Sequence, residues 1–305
     1  MKTKTQFEPA WWLPHAHLQT LWQGLCRRDI KNLRVKRERF ELPDGDFVDL
    51  DWVGKDSGPI VVILHGLEGS ITSLYAQGML NAIKQHGWRG VLMNFRGCSG
   101  EHNRLPRLYH AGETRDLAMV VQSLSQRNPG VPIATIGFSL GGNVLLKWLG
   151  ETGNSSPLTA AIAISIPFEL EKSVDRINQG FSRVYQWYLL NSLNKKMRVK
   201  FKTLREFDNK ITGPLHGFVD ANEYYSKSSC RQYLSLIRVP TLLLQAKDDP
   251  FMTDDLLPDP NELSGYVTLE IVENGGHVGF ISGRFPWNPE YWLEKRAPEF
   301  LSEYL

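Results

Sequence analysis

Five short apolar runs constrain this chain most. Ile60–Leu64 (IVVIL), Arg89–Phe95 (RGVLMNF), Ile133–Gly137 (IATIG), Ala160–Ile166 (AAIAISI) and Thr241–Ala246 (TLLLQA) are strand-sized and rich in β-branched residues or Leu. A strand apolar on both sides must be covered on both faces, as in the parallel sheet of an α/β protein. Stretches with helical spacing lie between the runs: Ser73–His86, Gly112–Gln126 and Leu140–Gly150. Strands alternating with helices imply right-handed crossovers and an open sheet. Val267–Val272 predicts a last strand and Trp287–Tyr304 a last helix. Ahead of the first run, Arg34–Leu42 and Phe47–Val53 alternate apolar and polar residues around Asp44-Gly45, which predicts a hairpin.

Length and charge narrow the function. A chain of 305 residues can be one large α/β domain, and that is the reading adopted for 1–305. Lys and Arg number 35 against 33 Asp and Glu, a balance that argues against a nucleic-acid binder. The three cysteines, Cys26, Cys98 and Cys230, form neither a disulfide framework nor a CxxC site. No secretory leader and no run of membrane-spanning length is visible, so a soluble cytoplasmic protein is expected.

Two segments stand apart. Residues 1–30 hold Trp11, Trp12 and Trp22 with His15 and His17, and read as an aromatic-rich arm packed on the body. Residues 168–238 separate two strands by far more than an ordinary βα connection, which predicts a helical cap insertion. Within it, residues 172–210 carry ten Lys/Arg against three Asp/Glu. A solvated helix face is the first reading of the basic residues Lys195, Lys196, Arg198, Lys200 and Lys202. Peripheral contact with an anionic membrane is the second. Phe181, Tyr185 and Trp187 are candidates for lining a substrate pocket under the cap.

The sharpest chemical signal is Gly137-Phe138-Ser139-Leu140-Gly141. An apolar strand run precedes it and a helix-like run follows, the context that a nucleophile elbow requires. Ser139 would then stand exposed on a strained turn, at a helix N-terminus whose free N–H groups suit a developing oxyanion. A serine hydroxyl needs a base, and the base needs an orienting acid. In this arrangement the chain order is Ser, acid, His. His277, in the Gly275-Gly276-His277 loop after the last strand, is the expected base. Asp249, beside Pro250, is the favoured acid, with Asp248 as the alternative; a helix is expected over Phe251–Leu257. The oxyanion donors should be the backbone N–H of Leu140 and of Leu67, in the loop His65–Ser70. His65 reads as a structural histidine. No metal or cofactor set is expected: there is no P-loop, strand-linked GxGxxG or HExxH, and His15 with His17 lacks a third ligand.

Taken together, the motifs resemble the AB hydrolase 4 family of the α/β-hydrolase superfamily, esterase-type bacterial proteins with eukaryotic relatives acting on lipid esters. The resemblance rests on the run from Trp12 to Thr20 (WLPHAHLQT), on His65-Gly66-Leu67-Glu68-Gly69 and on the run from Asn94 to Gly100 (NFRGCSG). It continues through the run from Gly137 to Asn143 (GFSLGGN), Asp248-Asp249-Pro250-Phe251 and the run from Gly275 to Phe280 (GGHVGF). It implies a mostly parallel eight-stranded sheet flanked by helices, with a helical cap insertion. It also implies Ser139, Asp249 and His277 as a triad acting on a small acyl ester. Some relatives are acyltransferases with an HxxxxD motif, and here Asp116 falls six residues after His110 rather than five. Many eukaryotic relatives carry a membrane anchor that is not seen in this chain. The expected activity is ester hydrolysis on short-to-medium acyl chains. The alternatives are acyl transfer or thioester cleavage by the same residues, or a non-catalytic binding protein.

Overall fold

The computed structural model describes residues 7–31 and 33–305. The expected hairpin forms from β1 (Lys36–Glu41) and β2 (Phe47–Val53). The apolar runs become β3 (Ile60–Leu64), β4 (Arg89–Asn94), β5 (Ile133–Phe138), β6 (Ala160–Ile164) and β7 (Thr241–Ala246), followed by β8 (Val267–Val272). These eight strands form one sheet in the order β1-β2-β4-β3-β5-β6-β7-β8. Only β2 runs against its neighbours.

Alternate residues of each central strand feed opposite faces. Val61 and Ile63 point to one apolar layer, with Met79, Leu80 and Ile83 of helix α2 (Leu74–Gln85). Val62 and Leu64 point to the other, with Val120, Val121 and Leu124 of α3 (Arg115–Arg127) and Val144 and Leu145 of α4 (Leu140–Thr152). Helix α3 starts three residues later than expected, at Arg115, whose N–H is accepted by the Glu113 carboxylate.

The expected arm contains α1 (Ala16–Leu25), whose buried Gln19 and Gln23 face the body. The N-terminal six residues of the arm lie outside the described residues. Residues 168–238 are helical: α5 (Leu170–Ile177), α6 (Arg183–Met197), α7 (Leu204–Phe207), α8 (Gly213–Leu215) and α9 (Ala221–Ser228). Ile177, Tyr185, Leu190, Leu193, Leu204 and Phe207 give this segment an apolar cluster of its own.

Two expectations fail near the end of the chain. The helix expected over Phe251–Leu257 is a turn with a single 3₁₀ turn at Asp254–Leu256. So short a segment, closed by Pro258, cannot repay helix nucleation. The helix expected from Trp287 begins only at Leu293, as α10 (Leu293–Leu301). Before it, β9 (Ile281–Phe285) and β10 (Asn288–Tyr291) pair as a hairpin. Pro289 biases Asn288 towards extended backbone. The Trp11 and Trp12 indoles donate to the carbonyls of Arg284 and Gly283, fastening the arm to that hairpin.

Candidate active site

The turn from β5 into α4 places Ser139 at φ 52°, ψ −119°, a conformation that residues with a Cβ rarely adopt. Strain of this kind persists only where the surroundings impose it. The glycines show how. A Cβ on Gly137 would lie 2.5 Å from the Gly141 carbonyl oxygen, and one on Gly141 would lie 2.5 Å from that of Leu64. The elbow closes against β3 only because both side chains are absent.

Ser139 Oγ lies 2.9 Å from His277 Nε2. His277 Nδ1 lies 2.8 Å from Asp249 Oδ2. Asp249 is buried, and its two oxygens also accept from Gln245 Nε2 at 3.1 Å and from the Phe251 N–H at 2.8 Å. The Phe251 ring stacks on the imidazole with centroids 3.9 Å apart. The three residues singled out in the sequence therefore form one hydrogen-bonded chain.

Asp248 does a different job. Its Oδ1 accepts the N–H groups of Gly275 and Gly276 at 2.8 and 2.9 Å, so it holds the loop that carries His277 rather than the imidazole. Burial pushes its carboxyl above the usual range. The arm holds the same loop from the other side. Thr20 Oγ1 accepts the His277 N–H at 2.9 Å, Gln23 donates to the Val278 carbonyl at 2.8 Å, and Gln19 exchanges two bonds with Ile281. Thr20, Gln19 and Gln23 were not anticipated as site residues. Gln19 and Thr20 close the WLPHAHLQT run, which marks the family resemblance but assigns them no role; Gln23 has no signal beyond a polar position in the arm, and the partners of all three lie more than 250 residues away.

The loop after β3 lies beside the elbow. Leu67 shares a cavity with Ser139, Leu140 and His277. Its N–H has no acceptor among the described residues, and Leu140 stands at the first position of α4, where an N–H has no intrahelical partner. Next to Leu67, Glu68 is held at φ 55°. Its N–H donates to Tyr109 Oη at 2.7 Å, and its carboxylate accepts from Tyr109 Oη at 3.0 Å, Lys196 Nζ at 2.7 Å and Ser192 Oγ at 2.9 Å. Lys196 is thus a half-buried partner of this loop and leaves the solvated basic face on which the sequence placed it. His65 is fully buried, accepts the Phe95 N–H on Nε2 and faces the Gly66 carbonyl with Nδ1. Burial lowers its pKa to about 4, so it stays neutral.

Two cavities meet at Ser139 and His277. One is apolar and runs beneath the helical segment, between Leu170, Ile177, Leu189, Leu193 and Phe207. The other is wider and more polar than the first, with Thr20, Gln23, Glu68, Thr72, Ser73 and Tyr188 in its lining beside Leu67, Leu74 and Phe138. Tyr185 lines the polar one and bonds His17 Nδ1 at 3.0 Å. Phe181 and Trp187 line neither. Phe181 packs on the His17 ring, and Trp187 points outward, 67% exposed. Helix α6 carries aromatic residues on both sides, so these alone do not reveal which face turns inward.

Asp116 is bound up elsewhere, in a bidentate pair with the buried Arg96. His110, Glu113 and His216 bring donor atoms within 4.8 Å of one another. That trio is ill suited to a metal. Glu113 is paired with Arg107 and accepts the Arg115 N–H, and His110 Nδ1 accepts the Gly112 N–H, which puts the imidazole proton on Nε2.

Comparison with known proteins agrees with this fold. A family model described as the alpha/beta hydrolase fold matches residues 59–210. The Escherichia coli (strain K12) protein named "Putative esterase YheT" is 42% identical over 324 residues, covering 99% of this chain and 95% of its own length. The mouse protein named "Phospholipase ABHD3" is 31% identical, covering 83% of this chain and 68% of its own. Among solved structures, an esterase of Pyrococcus furiosus, Pf2001, superposes with a TM-score of 0.63 at 18% identity, covering 90% of this chain and 91% of its own. With its eight-stranded sheet and full-length likeness to such a relative, the chain belongs to the α/β hydrolase family.

Proposed function

We propose that the protein is a serine carboxylester hydrolase working through an acyl-enzyme. Ser139 Oγ attacks the ester carbonyl carbon while His277 Nε2 takes the hydroxyl proton, and Asp249 holds the imidazole and stabilises its charged form. The carbonyl oxygen becomes an oxyanion that accepts the N–H groups of Leu67 and Leu140. Collapse of the intermediate breaks the bond to the alcohol oxygen, which leaves with the proton from His277. Water then attacks the acyl-enzyme, His277 takes its proton, and the acid departs as the proton returns to Ser139. The acyl chain occupies the apolar cavity and the alcohol part the polar one. A short-to-medium acyl chain is the proposed substrate, and the names of the relatives support an ester-cleaving or lipase-type activity.

The observation that carries this reading is the continuous chain Ser139–His277–Asp249 at the floor of an apolar cavity. It is tested by hydrolysis of p-nitrophenyl esters of graded acyl length with the purified protein. Turnover that rises from acetyl to hexanoyl or octanoyl and is abolished by a fluorophosphonate is expected. A protein that turns over no ester and takes up no fluorophosphonate is a binding module, and the reading falls.

A further inference from the structure

Helix α6 presents an unusual outward face. Residues spaced i, i+1, i+4, i+5, i+8 and i+12 share one side of a helix, and here they are Arg183, Val184, Trp187, Tyr188, Asn191 and Lys195. All six are exposed, Trp187 at 67% and Tyr188 at 70%. Phe181 extends the apolar strip ahead of the helix. The inward face, through Tyr185, Leu189 and Leu193, already lines the catalytic cavities. The outward face is mixed, with Val184, Trp187 and Tyr188 set between Arg183 and Lys195, and an exposed cluster of large apolar side chains rimmed by polar ones marks a contact surface.

The charges say what kind of surface covers it. Arg183, Lys195, Arg198, Lys200 and Lys202 are exposed, and none makes an ion pair among the described residues. The outward face carries no acidic residue at all. Aromatic rings set between unpaired cations suit the boundary of an anionic membrane, where the rings enter the headgroup layer and the cations meet the phosphates. Tyr188 belongs both to this face and to the polar cavity at Ser139. A lipid surface laid on α6 would therefore border the mouth of the site.

We propose that the outward face of α6 docks the protein on an anionic lipid surface. This goes beyond the esterase reading and does not depend on it, so it is tested on the Ser139→Ala protein. Co-sedimentation is measured with vesicles of phosphatidylcholine alone and with added phosphatidylglycerol, at low and high salt. Binding to the anionic vesicles only, lost at high salt, is expected. Arg183→Gln with Lys195→Gln should weaken it about fivefold for each charge removed. Val184→Gln with Trp187→Gln should weaken it by a similar factor, and the Trp187 emission of the parent should shift to the blue on binding. In the otherwise native enzyme, either pair should leave thermal unfolding and turnover of a soluble ester unchanged, which separates lost docking from lost folding. No binding to anionic vesicles at low salt overturns the proposal, as does equal binding to neutral ones. Sedimentation velocity supplies a further check: a dimer that the Val184 and Trp187 changes dissociate makes this face a self-interface and overturns the proposal too.

Discussion

The body of the protein and the helical segment 168–238 meet at the same cavities but contribute opposite things. The body supplies every group to which the proposed reaction assigns a chemical role: Ser139 on the elbow, Asp249 after β7 and His277 after β8, with Asp248, Gln19, Thr20 and Gln23 fixing the loop that carries His277. The helical segment supplies apolar walls through Leu170, Ile177, Leu193 and Phe207, and none of the reacting groups. Its polar contacts with the body include the bonds from Ser192 and Lys196 to Glu68, the Tyr185–His17 bond and the bond that Ser182 Oγ donates to the Pro250 carbonyl. Chemistry set by a rigid sheet edge and substrate fit set by a separate apolar layer can vary independently, and this division can be broken residue by residue.

The largest effect should come from the two adjacent aspartates of the body. Asp249→Asn should lower turnover about ten-thousand-fold, because the imidazole loses the partner that fixes its tautomer. Asp248→Asn keeps an acceptor oxygen for Gly275 and Gly276 and should cost about tenfold or less. Steady-state kinetics on both variants checks the ranking, and the reverse order would make Asp248 the orienting acid.

Lys196 tests whether the helical segment is merely a wall. Lys196→Met leaves the Glu68 carboxylate without its cation, beside a loop already held at positive φ. A loosened Leu67 N–H should lower kcat about tenfold with little change in KM, since small misplacement of a transition-state contact is costly. A rise in KM alone would assign Lys196 to substrate binding instead.

Leu193→Phe adds bulk to the apolar cavity. It should reduce kcat/KM for an octanoyl ester about tenfold relative to an acetyl ester, given what one or two methylenes contribute in such pockets. Equal losses on both esters would mean that the acyl chain lies elsewhere.

The smallest effect concerns pH. Burial lowers the His65 pKa to about 4, against about 6.5 in an unfolded chain. Between those values the unfolded chain binds a proton that the folded one refuses. The stability His65 contributes is therefore full above pH 6.5 and lost as pH falls towards 4, at up to about 1.4 kcal/mol per pH unit. His110 and His216 act in the same direction, while the buried Asp208, raised to about 6, opposes them. Urea unfolding at pH 7 and pH 5 should show a shallower loss for His65→Gln than for the parent; an identical loss would contradict this.

The sequence made the body far more legible than the helical segment. Strands apolar on both faces, the glycines around Ser139 and the Gly-Gly-His loop are local patterns whose physical causes lie within a few residues. The favoured reading of Asp249 also matches its place beside the imidazole, though only contacts distinguish its work from that of Asp248. Gln19 and Thr20 stand in the WLPHAHLQT run, yet neither they nor Gln23 reveal their role in the sequence, because a polar side chain does not announce a partner at the far end of the chain. Phe181, just ahead of α6, and Trp187 do not line the cavities, and periodicity does not tell wall from surface there because α6 carries aromatic residues on both sides. Pro258 and Pro289 are in the sequence, and the helix that does not form over Phe251–Leu257 and the late start of α10 show that breakers outweigh helical spacing there.

The central claim is that Ser139 is a nucleophile activated by His277. The most direct measurement is intact-mass and peptide mapping after fluorophosphonate treatment of the parent, Ser139→Ala and His277→Gln. The account predicts one adduct in the parent, located on Ser139, none in Ser139→Ala, and labelling slowed by orders of magnitude in His277→Gln, with all three proteins unfolding at about the same temperature. An adduct on another residue, or undiminished labelling of a folded Ser139→Ala protein, would contradict it.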